Sequence, residues 1–263
     1  MNTSASAVTL QRVEKKYQSR RLGQELTAVR DLSLSIERNE FVCLLGPSGC
    51  GKSTVLAMIA GLLSPTAGTI LASGRPVTGP GADRGMVFQQ YALFPWYSVL
   101  RNVELGLEAK GLSKAECQAR AEKALRSVQL WDHRDKYPKE LSGGMKQRVA
   151  IARTLAIEPD VILMDEPFGA LDAQTRERLQ DELLSIWEQS KRTVIFVTHS
   201  IDEAAILSDR TLVLGRNGAR LVASLENPLP RPRSRNDDAF AAFKREISAS
   251  LMEAEAEHAA VLD

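Results

Sequence analysis

Phe41-Val42-Cys43-Leu44-Leu45-Gly46-Pro47-Ser48-Gly49-Cys50-Gly51-Lys52-Ser53-Thr54 is the stretch from which the fold can be read. Its first part, Phe41 to Leu45, is a continuous apolar run, as expected of a strand covered on both faces in a parallel sheet. Its second part sets two glycines, a lysine and a serine at the spacing of a phosphate-cradling loop. Glycines let backbone N–H groups curl around a polyphosphate, and the helix that follows adds its positive N-terminal end. Gly46, Pro47, Ser48, Gly49, Cys50, Gly51, Lys52, Ser53 and Thr54 therefore form the expected nucleotide site. There Lys52 reaches the β- and γ-phosphates and the Ser53 hydroxyl ligates Mg²⁺. A dinucleotide loop is excluded, because no Gly-x-Gly-x-x-Gly occurs in this stretch. Cys50 reads as a small tolerated side chain rather than a redox switch.

Outward from this loop the pattern is that of an α/β protein. Leu32-Ser33-Leu34-Ser35-Ile36 alternates strictly, which predicts a half-buried antiparallel strand near the N-terminus. Val161 to Met164 and Val194 to Val197 are further continuous apolar runs, expected as buried parallel strands. Helical patterns lie between them. Thr54 to Leu63 stops at Ser64-Pro65-Thr66-Ala67-Gly68, and Ala173 to Glu188 sets Leu179, Leu183, Ile186 and Trp187 along one stripe. Residues from Tyr91 to about Ala156 show helices and loops but no strand, which reads as a helical insertion. After about Asn227, Pro228, Pro230 and Pro232 mark a linker. An amphipathic helix, Asp238 to His258, then carries Glu246, Glu253, Glu255 and Glu257 on a solvated face. The expected organisation is one domain over 1–227 with a helical subdomain at about 91–156, then a linker and helix over 228–263.

Composition limits the partners. The 263 residues carry 34 Lys+Arg against 33 Asp+Glu, a net charge of +1, so no global electrostatic grip on nucleic acid is expected. Cys43, Cys50 and Cys117 show neither a paired framework nor metal-ligand spacing, which points to a reducing compartment. Met1 to Val8 lacks the basic and apolar regions of a signal peptide. The longest apolar stretch, Val55 to Leu63, falls far short of the roughly 20 residues that cross a bilayer. The expectation is a cytosolic chain that needs another chain to form any pore.

Several polar groups stand at predicted strand ends. Val161-Ile162-Leu163-Met164 runs into Asp165 and Glu166, at the edge where α/β sheets bind ligands. Asp165 suits the outer sphere of a Mg²⁺ held by Ser53 and phosphate. Glu166 suits polarising an attacking water. The short strand Met86-Val87-Phe88 ends at Gln89, which could ligate Mg²⁺ or bind the water, and spacing does not separate it from Gln90. Val194 to Thr198 ends at His199, placed to hydrogen-bond a γ-phosphate, whereas His133 and His258 read as structural. In Leu141-Ser142-Gly143-Gly144-Met145-Lys146-Gln147-Arg148, Ser142 is a natural N-cap and the glycines expose N–H groups at a helix start. That is a second anion site in one chain.

The order Gly46–Thr54, Gln89, Leu141–Arg148, Asp165–Glu166, Asp172 and His199 resembles the nucleotide-binding subunit of ATP-binding-cassette (ABC) transporters, from Tyr17 to about Leu225. The resemblance implies a P-loop NTPase (RecA-like) core with an N-terminal antiparallel β-subdomain and an inserted α-helical subdomain. It assigns these segments as Walker A loop, Q-loop, signature, Walker B strand, D-loop and switch histidine. It selects Gln89 over Gln90 and suggests that Tyr17 stacks on adenine. It further implies ATP and Mg²⁺, and a head-to-tail homodimer in which Ser142, Gly143 and Gly144 close over the partner's ATP. Transmembrane permease subunits would be driven from the cytoplasmic face of the cell membrane, with an external solute-binding protein as an indirect partner.

Met145 and Ser200 depart from the residues usual in the family, Gln and Asp. Met145, Gly79-Pro80-Gly81-Ala82-Asp83-Arg84-Gly85 and Phe94-Pro95-Trp96 resemble the nitrate/sulfonate/taurine importer branch. The segment after Asn227 is too short for the regulatory β-domain of sugar-importer relatives. A lipoprotein-export or cell-division ATPase is the alternative within transport, disfavoured by Phe94-Pro95-Trp96. A soluble ABC protein acting on DNA or ribosomes would carry a second cassette or a long coiled coil. A P-loop kinase would lack Leu141–Arg148.

Overall fold

The computed structural model describes residues 6–18, 25–216 and 218–259, the side chains of the last few excepted. Most of Met1 to Val8 and the side chains of Glu257 and His258 lie outside the described residues. Along the chain come β1 (Val8–Gln18), β2 (Glu25–Ile36), β3 (Phe41–Leu45), α1 (Lys52–Ala60), β4 (Ala67–Ala72), β5 (Arg75–Pro76) and β6 (Arg84–Val87). Helices α2 (Val99–Ala109), α3 (Lys114–Ser127) and α4 (Gly143–Ala156) follow, then β7 (Val161–Asp165) and α5 (Ala173–Ser190). The order closes with β8 (Thr193–Thr198), α6 (Ile201–Leu207), β9 (Arg210–Leu214), β10 (Leu221–Glu226) and α7 (Asp238–Ala259). The chain forms two compact units, Met1–Pro80 with Thr193–Asp263, and Gly81–Arg192.

In the first unit, β2, β1, β4 and β5 make an antiparallel sheet, and β10, β9, β3 and β8 lie side by side in that order. β3 runs parallel to β8 and β9, with Leu45 paired to Thr198 and to Val213. Every residue of β3 and β8 is buried, as continuous apolar runs in a covered parallel sheet require. Phe41 and Phe196 stack across this pair with ring centroids 6.0 Å apart. In β2, Leu32 and Ile36 are buried and Ser33 and Ser35 exposed, so the predicted alternation sits in an antiparallel strand. Helix α1 contacts β8 as well as β2 and β4, while α7 packs on α6, β9 and β10.

One predicted boundary moves. Helix α1 begins at Lys52 and ends at Ala60, short of the expected stop at Ser64. Gly61 follows at φ 78°, and a β-carbon there would lie 2.1 Å from the Gly79 carbonyl oxygen. Gly61 ends the helix as a left-handed C-cap, its N–H donating to the Met58 carbonyl at 3.1 Å and the Leu62 N–H to that of Ala57 at 3.0 Å, a glycine stop signal that lies ahead of the Ser64-Pro65 turn.

In the second unit, β6 and β7 pair in parallel and α4 packs against β6, α2, α3 and α5. Val103, Leu107, Leu125 and Val149 are fully buried in this unit. The described residues between Tyr91 and Ala156 contain helices and short 3-10 turns but no strand, as the sequence pattern predicts. Among the described residues, no helix is long and apolar enough to cross a membrane. Helix α7 spans the expected segment, with Glu246, Glu253 and Glu255 exposed.

Candidate functional site

The loop from Gly46 to Gly51 leaves the C-terminal end of β3 and enters α1 directly. Its glycines are required by geometry. A β-carbon on Gly46 would lie 2.5 Å from the Leu214 carbonyl oxygen, and one on Gly51 2.4 Å from that of Ala28. Gly51 also sits at φ 109° and Gly49 at φ 78°, where side chains are disfavoured. Lys52 is 4% exposed, and its ammonium donates to the carbonyls of Gly46 at 2.7 Å and Pro47 at 2.9 Å. The loop is thus wrapped around a buried cation whose charge suits polyphosphate. The N-terminus of α1 has no side-chain cap, and Ser53 is exposed in its first turn. Pro47 is buried, Ser48 exposed and Thr54 half-buried. Cys50 is 3% exposed, and burial raises its thiol pKa despite the opposing Lys52 charge.

Because Leu45 pairs with Thr198, Gly46 and His199 leave the same edge of adjacent strands. His199 is exposed, and its neighbours are held by a local network: the Ser200 N–H donates to the Thr198 hydroxyl at 3.0 Å, and the Thr198 hydroxyl pairs with the Glu203 carboxylate. Tyr17, on β1, is 39% exposed, with the Lys15 ammonium 5.4 Å from its ring centroid. It pairs with Leu26 on β2, about 7 Å along that strand from Ala28, the residue that Gly51 abuts. Tyr17, the phosphate loop and His199 therefore belong to one unit.

The remaining predicted residues belong to the other. Val87 pairs with Met164, so Gln89 and Glu166 follow the ends of parallel neighbours at matching positions. A β-carbon on Gly169 would lie 3.9 Å from Gln89 Nε2 and 3.9 Å from Glu166 Oε2. The two side chains converge on Gly169, a residue that the sequence does not single out. Glu166 adopts φ 43°, and its carbonyl accepts the Gly169 N–H at 3.1 Å. A left-handed non-glycine residue costs on the order of 1 kcal/mol, and Glu166 shares this conformation with other residues such as Asn39 and Ser73. Asp165 is half-buried at the end of β7.

Ser142 caps α4, accepting the Met145 N–H at 3.3 Å, as its place in the sequence predicts. Gly143 and Gly144 are pressed against neighbours: a β-carbon on the first would meet Tyr91 Oη at 3.1 Å, and on the second Thr175 Cγ2 at 2.9 Å. Asp172 caps α5 by accepting the Thr175 N–H at 2.9 Å, and this backbone donor holds its carboxyl below the usual range. Ser142, Gly143, Gly144, Asp172, Thr175 and Arg178 line a cleft of about 250 Å³. Arg153, further along α4, donates to the carbonyls of Ala92 at 2.6 Å and Tyr91 at 3.2 Å, and burial lowers its pKa. No sequence signal marks Tyr91 or Arg153, because each acts through a contact distant in the chain.

Parallel α/β strands, a glycine-walled loop around a buried lysine and acids at strand ends define a P-loop nucleotide-binding protein. Residues 29–169 match the family model described as ABC transporter. An uncharacterized ABC transporter ATP-binding protein of Methanocaldococcus jannaschii is 53% identical over 86% of this chain and 84% of its own length. The nitrate import ATP-binding protein NrtD of Synechocystis is 47% identical over 88% of this chain and 91% of its own. The taurine import ATP-binding protein TauB of Pseudomonas aeruginosa is 42% identical over 97% and 99%. A solved dimeric ATP-binding cassette in a post-hydrolysis state with ADP and phosphate matches with TM-score 0.74 and 34% identity, over 85% of this chain and all (100%) of that one. The chain belongs to the ABC transporter family and is an ATPase of the ABC type, with a P-loop NTPase core.

Proposed function

We propose that this chain powers uptake of a small anion, such as a sulfonate, taurine or nitrate, through a separate membrane permease. Relatives whose names specify nitrate, bicarbonate and taurine transport support the importer reading. The convergence of Gln89 and Glu166 beside Gly169 is the observation that carries the hydrolytic chemistry. Glu166 polarises the attacking water, Gln89 orients it, and His199 hydrogen-bonds the γ-phosphate. Lys52 and the backbone N–H groups of Gly46–Thr54, Pro47 excepted, bind the phosphates, and Tyr17 stacks on adenine.

The Ser53 hydroxyl, the Gln89 amide and the Asp165 carboxylate offer oxygen donors, which suits Mg²⁺, a cation that keeps waters and takes few protein ligands beside substrate phosphates. Ser53 and Gln89 would hold it, with Asp165 acting through water, and when bound it supplies charge neutralisation on the phosphates.

Ser142, Gly143 and Gly144 serve the ATP of a second copy paired head to tail, a reading supported by the dimeric cassettes among solved structures. Asp172 belongs to the same face. The helices at about 91–156 act as one subdomain of a 1–227 ATPase domain, and residues 228–263 append a linker and helix. The assembly sits at the cytoplasmic face of the membrane, with an external solute-binding protein delivering cargo.

The test is Glu166→Gln in the purified chain with ATP and Mg²⁺. We expect retained ATP binding, a trapped dimer and turnover reduced at least about 100-fold. Wild-type turnover in that variant sinks the assignment of Glu166. For the cargo, turnover of the reconstituted complex should rise with a sulfonate-, taurine- or nitrate-loaded binding protein, and absence of any response overturns the small-anion reading.

A further inference from the structure

His199 stands between two residues that belong to a buried polar network. Thr198 is 1% exposed and Glu203 5% exposed. The Thr198 hydroxyl pairs with Glu203 Oε2, and the Thr198 oxygen accepts the Ser200 N–H at 3.0 Å. Ser200 Oγ in turn accepts the Glu203 N–H at 3.3 Å and caps α6. In the first of these bonds the threonine hydroxyl donates to the Glu203 carboxyl oxygen. The threonine lone pairs are then left facing the Ser200 N–H. This directionality holds the backbone on both sides of His199 in one conformation. Ser200 fills the N-cap role that an aspartate fills equally well, which explains how that departure from the family pattern is accommodated.

The far end of α6 is anchored as firmly. Asn227 Nδ2 donates to the carbonyls of Ala205 at 2.8 Å and Ser208 at 3.0 Å. Arg233 donates to the Ile206 carbonyl at 2.8 Å, and Arg231 to that of Leu207 at 2.5 Å. Lys244 of α7 pairs with Asp202. The seven-residue helix from Ile201 to Leu207 is thus tied at its C-terminal end to the segment after β10 and in its first turn to α7.

We infer that Glu203 is a positioning residue for His199: its carboxylate, acting through the Thr198 hydroxyl, sets the backbone from which the imidazole reaches the nucleotide. This rests on the reading that His199 contacts the γ-phosphate. Glu203, a buried residue of α6, acts through Thr198 and not on the nucleotide.

The experiment compares Thr198→Val, which removes the hydroxyl at constant shape, with Thr198→Ser, Glu203→Ala and His199→Ala in the full-length chain. Thr198→Val and Glu203→Ala are expected to lower kcat about 10- to 100-fold, the effect of one to two hydrogen-bond equivalents, with KM for ATP changed less than about twofold. Thr198→Ser should restore kcat to within about twofold of wild type, since it returns the hydroxyl. The His199 backbone amide resonance should move in Thr198→Val and stay in Thr198→Ser. If Thr198→Val, folded and binding ATP normally, turns over at the wild-type rate while His199→Ala does not, the inference is wrong and the role of His199 stands. A His199→Ala chain with wild-type turnover removes the role of His199 and the inference with it. Melting curves separate these results from unfolding of the alanine variant.

Discussion

The Tyr91 hydroxyl oxygen lies 3.1 Å from the point that a β-carbon on Gly143 would occupy. The segment just beyond Gln89 thus rests on the first turn of the signature helix, and Arg153 of that helix grips the carbonyls of Tyr91 and Ala92. Those bonds hold the Tyr91 backbone, so the hydroxyl must give by a few tenths of an ångström to admit a β-carbon. Gly143→Ala is therefore expected to destabilise the chain by about 1–3 kcal/mol through overpacking and to slow ATP turnover. Adding Tyr91→Phe, which deletes the offending oxygen, should recover most of both. Thermal melts and turnover of the single and double variants check this, and no recovery would mean that the contact does not limit Gly143.

Lys52→Ala should weaken ATP binding roughly 10- to 100-fold, the equivalent of one charge-assisted interaction with phosphate. Its buried ammonium is held by backbone carbonyls of the very loop that would receive the phosphates. Titration with ATP measures the effect; an unchanged affinity would contradict the assignment of the loop.

Gly61 and Gly74 separate strain from collision. Both have φ between 76° and 78°, but only Gly61 has a backbone oxygen where a β-carbon would go. Gly74→Ala should cost about 1–2 kcal/mol from the left-handed conformation alone. Gly61→Ala should cost clearly more. Urea midpoints with equal slopes would rank them, and equal losses would show that the Gly79 segment yields easily.

Burial raises the Cys50 thiol pKa, so less thiolate is present at any given pH. Alkylation at pH 7.5 should be slower than for an exposed cysteine and should accelerate as pH rises. Bound ATP should slow it further. Cys43 and Cys117 are buried as well, so mass spectrometry must locate the label. Rapid labelling of Cys50 at neutral pH would speak against the closed packing of the loop.

Asp172 provides a pH test with a definite sign. Its carboxyl is held below the usual range by the Thr175 N–H, so its stabilising contribution is present above the unfolded value of about 3.9. That contribution disappears as pH falls through the lowered folded value. Asp172→Ala should melt earlier than wild type at pH 7, with the gap closing in acid. Asp172→Asn, which can still cap α5, should lose little at pH 7.

Much of this protein is legible along the chain because its signals are local. Phe41 to Leu45 reads as a covered strand since nothing polar interrupts it, and the glycine and lysine spacing of the loop follows from how backbone N–H groups must curl. Ser142 announces itself as an N-cap by residue type and place, whereas the capping of α5 by Asp172 emerges only from the structure. Spacing alone left Gln89 and Gln90 equivalent. The Gln89 amide and the Glu166 carboxylate near Gly169 supply a reason to prefer Gln89 that depends on where the ends of β6 and β7 lie.

The sequence by itself determined the covered strands β3, β7 and β8, the phosphate loop and the family, because apolar periodicity, turn chemistry and motif spacing are properties of neighbouring residues. Only the tertiary structure decided that Tyr91 lies on Gly143 and that Glu203 reaches back to Thr198. Each of these depends on a contact set by packing or by the return of a helix, and packing distances are not encoded in the order of residues one after another.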